Sequence, residues 1–210
     1  MKGTMNLVER TQKTYDEVAN QYLVRNKDRS EVAYFMDRFN RLLPYGALIL
    51  DVGAGPGIDS AELKRHGLQV MSCDLSFGML EAGQRSYPGI PRVQADMLEL
   101  PFEASIQGCW VNASLHHVER GLVPKALREL RRVLVEPAIL HLEVKLGNNE
   151  GWETERYGSN HPRWYTYWQP RDLDQLLVDS GFQLIEGKIR AGRRARWISR
   201  LCCIQRKLMT

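Results

Sequence analysis

The sequence predicts a doubly wound α/β fold with a mostly parallel, seven-stranded sheet whose last strand runs antiparallel. Three observations carry this expectation. Short aliphatic runs alternate with helical patterns through most of the 210 residues, which implies parallel strands joined by right-handed crossovers. The run 48–52 (LILDV) closes on a turn holding Gly53, Gly55 and Gly57. The next run, 68–73, is followed directly by an acid, Asp74. Carboxyl ends of adjacent strands are where such sheets bind ligands.

The elements follow in order. After the first strand, residues 58–66 read as helix and 68–73 as the second strand. Residues 76–86 are helical, with Ser76 placed to cap the first turn. Residues 91–95 and 108–113 are short strands. Leu127, Leu130, Val133 and Leu134 give 122–134 a helical period. A strand over 139–144 precedes a helix over 171–180 that stops at Gly181. Residues 182–189 and 197–206 are the last strands, joined near Gly192 too tightly for a helical crossover, hence antiparallel.

Two stretches stand outside the alternation of this single domain, 1–210. Residues 1–45 hold one or two helices and form an N-terminal cap. Residues 145–169 carry Trp152, Tyr157, Trp164, Tyr165, Tyr167 and Trp168 without a clear period. Connections this long in compact domains are usually functional, and this one is expected to be an aromatic lid that carries substrate choice.

Composition bounds the rest. With 43% apolar and 26% charged residues the chain is globular. It has no apolar run of ~20 residues and no secretory pattern, so a cytoplasmic protein with no membrane partner is expected. Four cysteines show no zinc-ligand spacing and are expected to be free thiols, with no metal site. Net charge is +4, but the segment from Lys188 onward holds eight Lys or Arg and no acid. A solvated basic hairpin is the leading reading of it.

The glycine turn bears on the ligand. A dinucleotide fingerprint spaces its third glycine three positions after the second, on the helix. Here the third follows after two, Ile58 takes the place of that Gly or Ala, and Pro56 lacks an amide donor. A ligand without phosphate is favoured over NAD. Asp74, one βα unit on, suits the two hydroxyls of a ribose.

These segments, with Leu75–Leu80, Gln94–Phe102 (QADMLELPF) and Trp110–Val118 (WVNASLHHV), resemble the successive motifs of small class I S-adenosylmethionine-dependent methyltransferases of the type 11/25 kind, in order and over nearly the whole chain. The resemblance implies the Rossmann-like methyltransferase fold and S-adenosylmethionine as cofactor. It implies that Asp51 and the backbone at Gly53, Ala54 and Gly55 hold the methionine part, with Gly57 completing the turn. Asp74 would take the ribose, and Leu75 and Met79 would pack on the adenine. Asp96 would accept from the adenine amino group, Met97 would offer its amide, and Ala113 would lie near the ligand's amino group. Pro56 and the turn Val135–Ala138 depart from the family pattern.

Methyl transfer from a sulfonium asks mainly for orientation and exclusion of water, plus a base where the nucleophile is protonated. His117, after the fourth strand, is the first catalytic candidate, with His116 pointing elsewhere; Tyr15 of the N-terminal cap is the second. The expected acceptor is an unidentified small molecule, and the protein a monomer or homodimer. A second reading is an RNA (tRNA) methyltransferase docking phosphates on the basic 188–207 hairpin, through Arg190, Arg193, Arg194 and Arg196. A third is a non-catalytic S-adenosylmethionine-binding module.

Overall fold

The computed structural model of the chain describes residues 5–192 and 195–204. Its framework is a seven-stranded sheet in the order β3-β2-β1-β4-β5-β9-β8. The strands are β1 (Leu48–Val52), β2 (Gln69–Asp74), β3 (Arg92–Gln94), β4 (Ile106–Asn112), β5 (Leu134–Lys145), β8 (Gln183–Ala191) and β9 (Arg196–Ile204). All neighbours run parallel except β9, which is antiparallel to both β5 and β8. The expected fold class is therefore observed. The final strand is inserted between β5 and β8, because the hairpin turn near Gly192 reverses the chain.

Among the described residues six α-helices surround the sheet: α1 (Leu7–Arg25), α2 (Ala33–Arg41), α3 (Ile58–Arg65), α4 (Phe77–Ser86), α5 (Val123–Val133) and α6 (Pro170–Asp179). On one face Leu127, Leu130, Leu173 and Leu177 from α5 and α6 pack on Leu50, Val111, Leu140 and Leu142. On the other, Phe35, Met36 and Phe39 of α2 and Leu63 of α3 pack on Ile49, Val70 and Trp110. Covering both faces explains why β1 and β4 are nearly continuous apolar runs.

The caps act where the residue types suggest. Ser76 accepts from the Met79 amide at the start of α4. Asn6 and Glu9 form a reciprocal capping box at the start of α1.

The segment 145–169 differs from its reading as a patternless lid. It contains a second, two-stranded sheet of β6 (Glu150–Glu153) and β7 (Arg163–Thr166), paired Trp152 to Trp164. The hairpin packs on α1, and Thr14 donates to the Pro162 carbonyl while the Trp164 amide donates to Thr11. Its loop of nine residues, with Gly158 and Pro162, hides the pairing from a period-two search.

Candidate functional site

A cavity opens at the carboxyl ends of β1, β2 and β4, with α1 as its roof. It holds about 900 Å³ free of protein atoms, part of it open to solvent, which is the size of a site for a small ligand.

The floor is the glycine turn. Gly53 sits at φ +68°, and a Cβ there would lie 2.2 Å from the Ser114 Cβ, so only glycine lets β1 and the end of β4 come this close. The Gly53 and Ala54 amides both donate to the Cys73 carbonyl. The Gly55 amide donates to Asp74 Oδ2 at 2.7 Å, and the Ser76 amide to Oδ1 at 2.8 Å. Burial nevertheless raises the Asp74 pKa to about 6. Leu75, Met79, Ala95, Met97 and Leu98 make an apolar slot beside this carboxylate, and Asp96 stands at its edge, accepting from the Leu98 amide at 2.9 Å.

The predicted site residues divide cleanly by position. Gly53, Gly55, Asp74, Leu75, Met79, Asp96, Met97, Ala113, His117 and Tyr15 all line the cavity. Ala113 adopts a left-handed backbone, φ 54°, unusual for a residue with a Cβ and suited to a chain turning sharply off β4. Asp51, Ala54 and Gly57 are not in the cavity wall. The Asp51 carboxylate is instead buried beneath the turn, where it accepts from Ser60 Oγ at 2.6 Å. Burial and the neighbouring Asp59 carboxylate push its pKa up.

Asp59 itself was not among the candidates. It accepts from both Arg29 nitrogens at 2.5 Å, from Trp110 Nε1 and from Asn112 Nδ2 at 2.9 Å each. Burial opposes its charge, but the Arg29 guanidinium and these donors outweigh burial and lower the pKa. From sequence it reads as an ordinary first-turn acid of α3. Its partner is thirty residues away in the connection between α1 and α2, and no local pattern links them.

At the other end of the cavity, His117 lies in a single 3-10 turn after β4. Its Nδ1 is 2.6 Å from the Trp164 carbonyl and its Nε2 is 2.7 Å from the Tyr15 hydroxyl. A carbonyl only accepts, so Nδ1 carries the proton and Nε2 accepts the Tyr15 O–H. Burial lowers the His117 pKa to about 3 and raises that of Tyr15. The ring is thus neutral, with its one lone pair aimed at a phenol. His116 is buried and absent from the cavity wall, its ring tilted against Tyr165 at 5.0 Å and Trp197 at 5.7 Å.

The roof is where the lid reading needs correction. No residue of 145–169 is in the cavity wall; Val8, Thr11, Gln12, Tyr15 and Tyr22 of α1 are. The aromatic hairpin backs the roof and does not form it. The basic hairpin is solvated in part, with Lys188 exposed beside paired arginines. Arg190 pairs with Glu143 and Glu31, Lys188 with Glu186, and Arg200 with Asp174. Arg196 is exposed, while Arg193, Arg194 and residues 205–207 of the expected 188–207 hairpin lie outside the described residues.

Comparison with known proteins places this geometry among relatives. A family model described as a methyltransferase domain matches residues 49–136. The chain is 36% identical over 179 residues to a demethylmenaquinone methyltransferase of Paenarthrobacter aurescens, covering 72% of this chain and 70% of that one. A protein of the same name from Thermobifida fusca is 34% identical over 142 residues, covering 58% of this chain and 59% of its own length. The chain spans roughly half the length of several curated relatives it matches, 59% and 51% of two of them. A solved structure of Burkholderia thailandensis 1,6-didemethyltoxoflavin-N1-methyltransferase, with bound 1,6-didemethyltoxoflavin and S-adenosylhomocysteine, superposes with a TM-score of 0.74 at 17% identity, covering 98% of this chain and 94% of that one.

Proposed function

The chain belongs to the S-adenosylmethionine-dependent methyltransferases, and from that premise we propose that it methylates a small, largely apolar acceptor held between the α1 roof and the turn after β4. The carrying observation is the cavity's division into two chemistries. One end has the glycine turn, the Asp74 carboxylate and the apolar slot. The other has Val8, Val118 and Leu122 around the Tyr15–His117 pair. The relatives named demethylmenaquinone methyltransferases support a small-molecule acceptor of ring type.

The residues present fit the cofactor. Asp74 presents a carboxylate at the end of β2 for the ribose hydroxyls, Leu75, Met79 and Met97 offer apolar surface for the adenine, and Asp96 offers an acceptor at its rim. Gly53 and Gly55, whose amides are already donated to the Cys73 carbonyl and to Asp74, leave space free of side chains for the methionine part near Ala113. Asp51 acts from beneath, by fixing the turn through Ser60. When bound, S-adenosylmethionine supplies a methyl group on a sulfonium, ready for in-line displacement.

The chain's own residues then orient and protect. The α1 roof excludes water, and the apolar wall aligns the acceptor, effects that reach on the order of 7–11 kcal/mol in well-oriented systems. Where the acceptor atom bears a proton, that proton passes to the Tyr15 oxygen as the Tyr15 proton moves to His117 Nε2. The Trp164 carbonyl holds the resulting imidazolium at Nδ1. Because burial disfavours this cation, it forms only as positive charge disappears from the reacting centre. A cytoplasmic setting belongs to the same reading, since Cys73, Cys109 and Cys202 are buried free thiols.

The test is thermal. S-adenosylhomocysteine at about a hundred times its dissociation constant should stabilise the protein by ~2.7 kcal/mol, and NAD should leave the melting temperature unchanged. A shift with NAD alone overturns the reading.

A further inference from the structure

Arg163, on β7, is a buried cation with no carboxylate bonded to it among the described residues. It is 3% exposed. Its Nη1 is 3.4 Å from the Tyr15 hydroxyl, and its Nε has no partner. Glu153 stands opposite it in the hairpin register, but both Glu153 oxygens are taken by Lys145 Nζ, at 2.8 and 3.0 Å. That pair is neutral in sum, and the Arg163 charge is left over. The rings of Tyr157, Tyr165 and Tyr15 enclose the guanidinium at 4.9, 5.0 and 5.8 Å.

The surroundings repeat the pattern. The Tyr157 hydroxyl is buried without a partner, and so is Arg156 Nε, whose guanidinium lies 5.6 Å from the same Tyr157 ring. Three unspent donors thus gather around one ring, behind the cavity wall made by Tyr15 and Tyr22. A buried charge left uncompensated is strongly unfavourable, and so are orphaned buried donors. Aromatic faces soften the cost for Arg163, but they supply no anion.

We propose that Arg163, with Arg156 and the Tyr157 hydroxyl, is a carboxylate-binding centre behind the cavity wall, reached when the Tyr15 ring turns off His117. The carboxylate has two sources, the amino-acid end of the cofactor or an acid group on the acceptor. The planar guanidinium fork suits either. The inference rests on the reading of the cavity as a methyl-transfer site.

Titration calorimetry of the wild type and Arg163→Met separates the sources. The probes are S-adenosylhomocysteine, 5′-methylthioadenosine (the same nucleoside and thioether without a carboxylate), and benzoate with S-adenosylhomocysteine present. We expect Arg163→Met to bind at least one carboxylate ligand about tenfold to a hundredfold more weakly, the range of a charge-assisted hydrogen bond, with methylthioadenosine unchanged. Loss confined to S-adenosylhomocysteine assigns the centre to the cofactor, and loss confined to benzoate assigns it to the acceptor. Arg163→Lys should recover part of either loss. The free Arg163→Met protein should melt no lower than wild type, because an apolar side chain replaces an unpaired charge. Equal affinities in both proteins overturn the inference alone, as does a lower melting point with methylthioadenosine lost as well. Failure of wild type to bind S-adenosylhomocysteine overturns the underlying reading too.

Discussion

Asp74 spends its carboxylate on two backbone amides, Gly55 and Ser76, in the free protein. It therefore shapes the glycine turn as well as facing the cavity. Replacement by Ala should weaken S-adenosylhomocysteine binding by roughly 1.5–3 kcal/mol, as a hydrogen bond to a charged group is lost, and calorimetry checks it. Wild-type affinity should also fall below pH about 6, where this carboxyl takes up a proton. His141 makes a different point. It is buried between Trp110 and Phe35, with neither ring nitrogen bonded, and burial lowers its pKa to about 3. The unfolded chain takes up that proton near pH 6.5 and the folded one does not until about 3. Its contribution is thus full above pH 6.5 and is lost as pH falls through that window. His141→Phe should flatten the acid side of the melting-temperature profile between pH 6.5 and 3; an unchanged slope would show that the ring is charged or hydrated in the fold. At this scale Asp74 was legible because strand ends announce it. The Asp59–Arg29 pair and Arg163 were not, because their meaning lies in partners present or missing across space.

Among the elements, α1 has the largest bearing on the site. It is tied on one side to the start of α4, where Asp16 accepts from Ser76 Oγ and the Gly78 amide at 2.6 and 2.8 Å, and Gln12 donates to the Leu75 carbonyl. On the other side it is tied to the β6–β7 hairpin through Thr11 and Thr14. Asp16→Ala removes the acceptor of two of these bonds, and should cost about 1–2 kcal/mol. Hydrogen exchange should then quicken in residues 7–25 while the sheet stays protected; uniform quickening would mean that α1 is part of the cooperative core. The strands of the main sheet were legible because each is a compact apolar run with a turn behind it. The roof was not legible, because α1 presents its cavity face as a sparse mixture of Val8, Thr11, Gln12 and Tyr15, while the aromatic residues are concentrated in 145–169.

For the whole molecule, the segment from Lys188 onward carries eight bases and no acid, and among its described bases the fold pairs Arg190 and Arg200 with acids and leaves Lys188 and Arg196 exposed. Arg190 bridges Glu143 of β5 and Glu31 before α2, and Ser199 completes the contact to Glu143. Phosphate binding through this residue would break two ion pairs. Bulk RNA should accordingly bind no tighter than ~10⁻⁶ M at physiological salt, the nonspecific range, and Arg190→Ala should destabilise the fold without changing RNA affinity. Submicromolar binding that weakens in Arg190→Ala would restore the RNA reading. The overall architecture was legible because alternation is a property of the entire chain, whereas the charge balance depends on which acids the topology brings opposite each base.

The double tethering of α1 also sets a clock. Where a spent cofactor leaves past this roof, its bonds to the rim on both sides release first, and the Tyr15–His117 bond opens and re-forms with them. Each cycle then contains a waiting time that belongs to the protein and is indifferent to how reactive the acceptor is. Turnover in such an enzyme would be paced by the helix, and a better nucleophile would not make it faster.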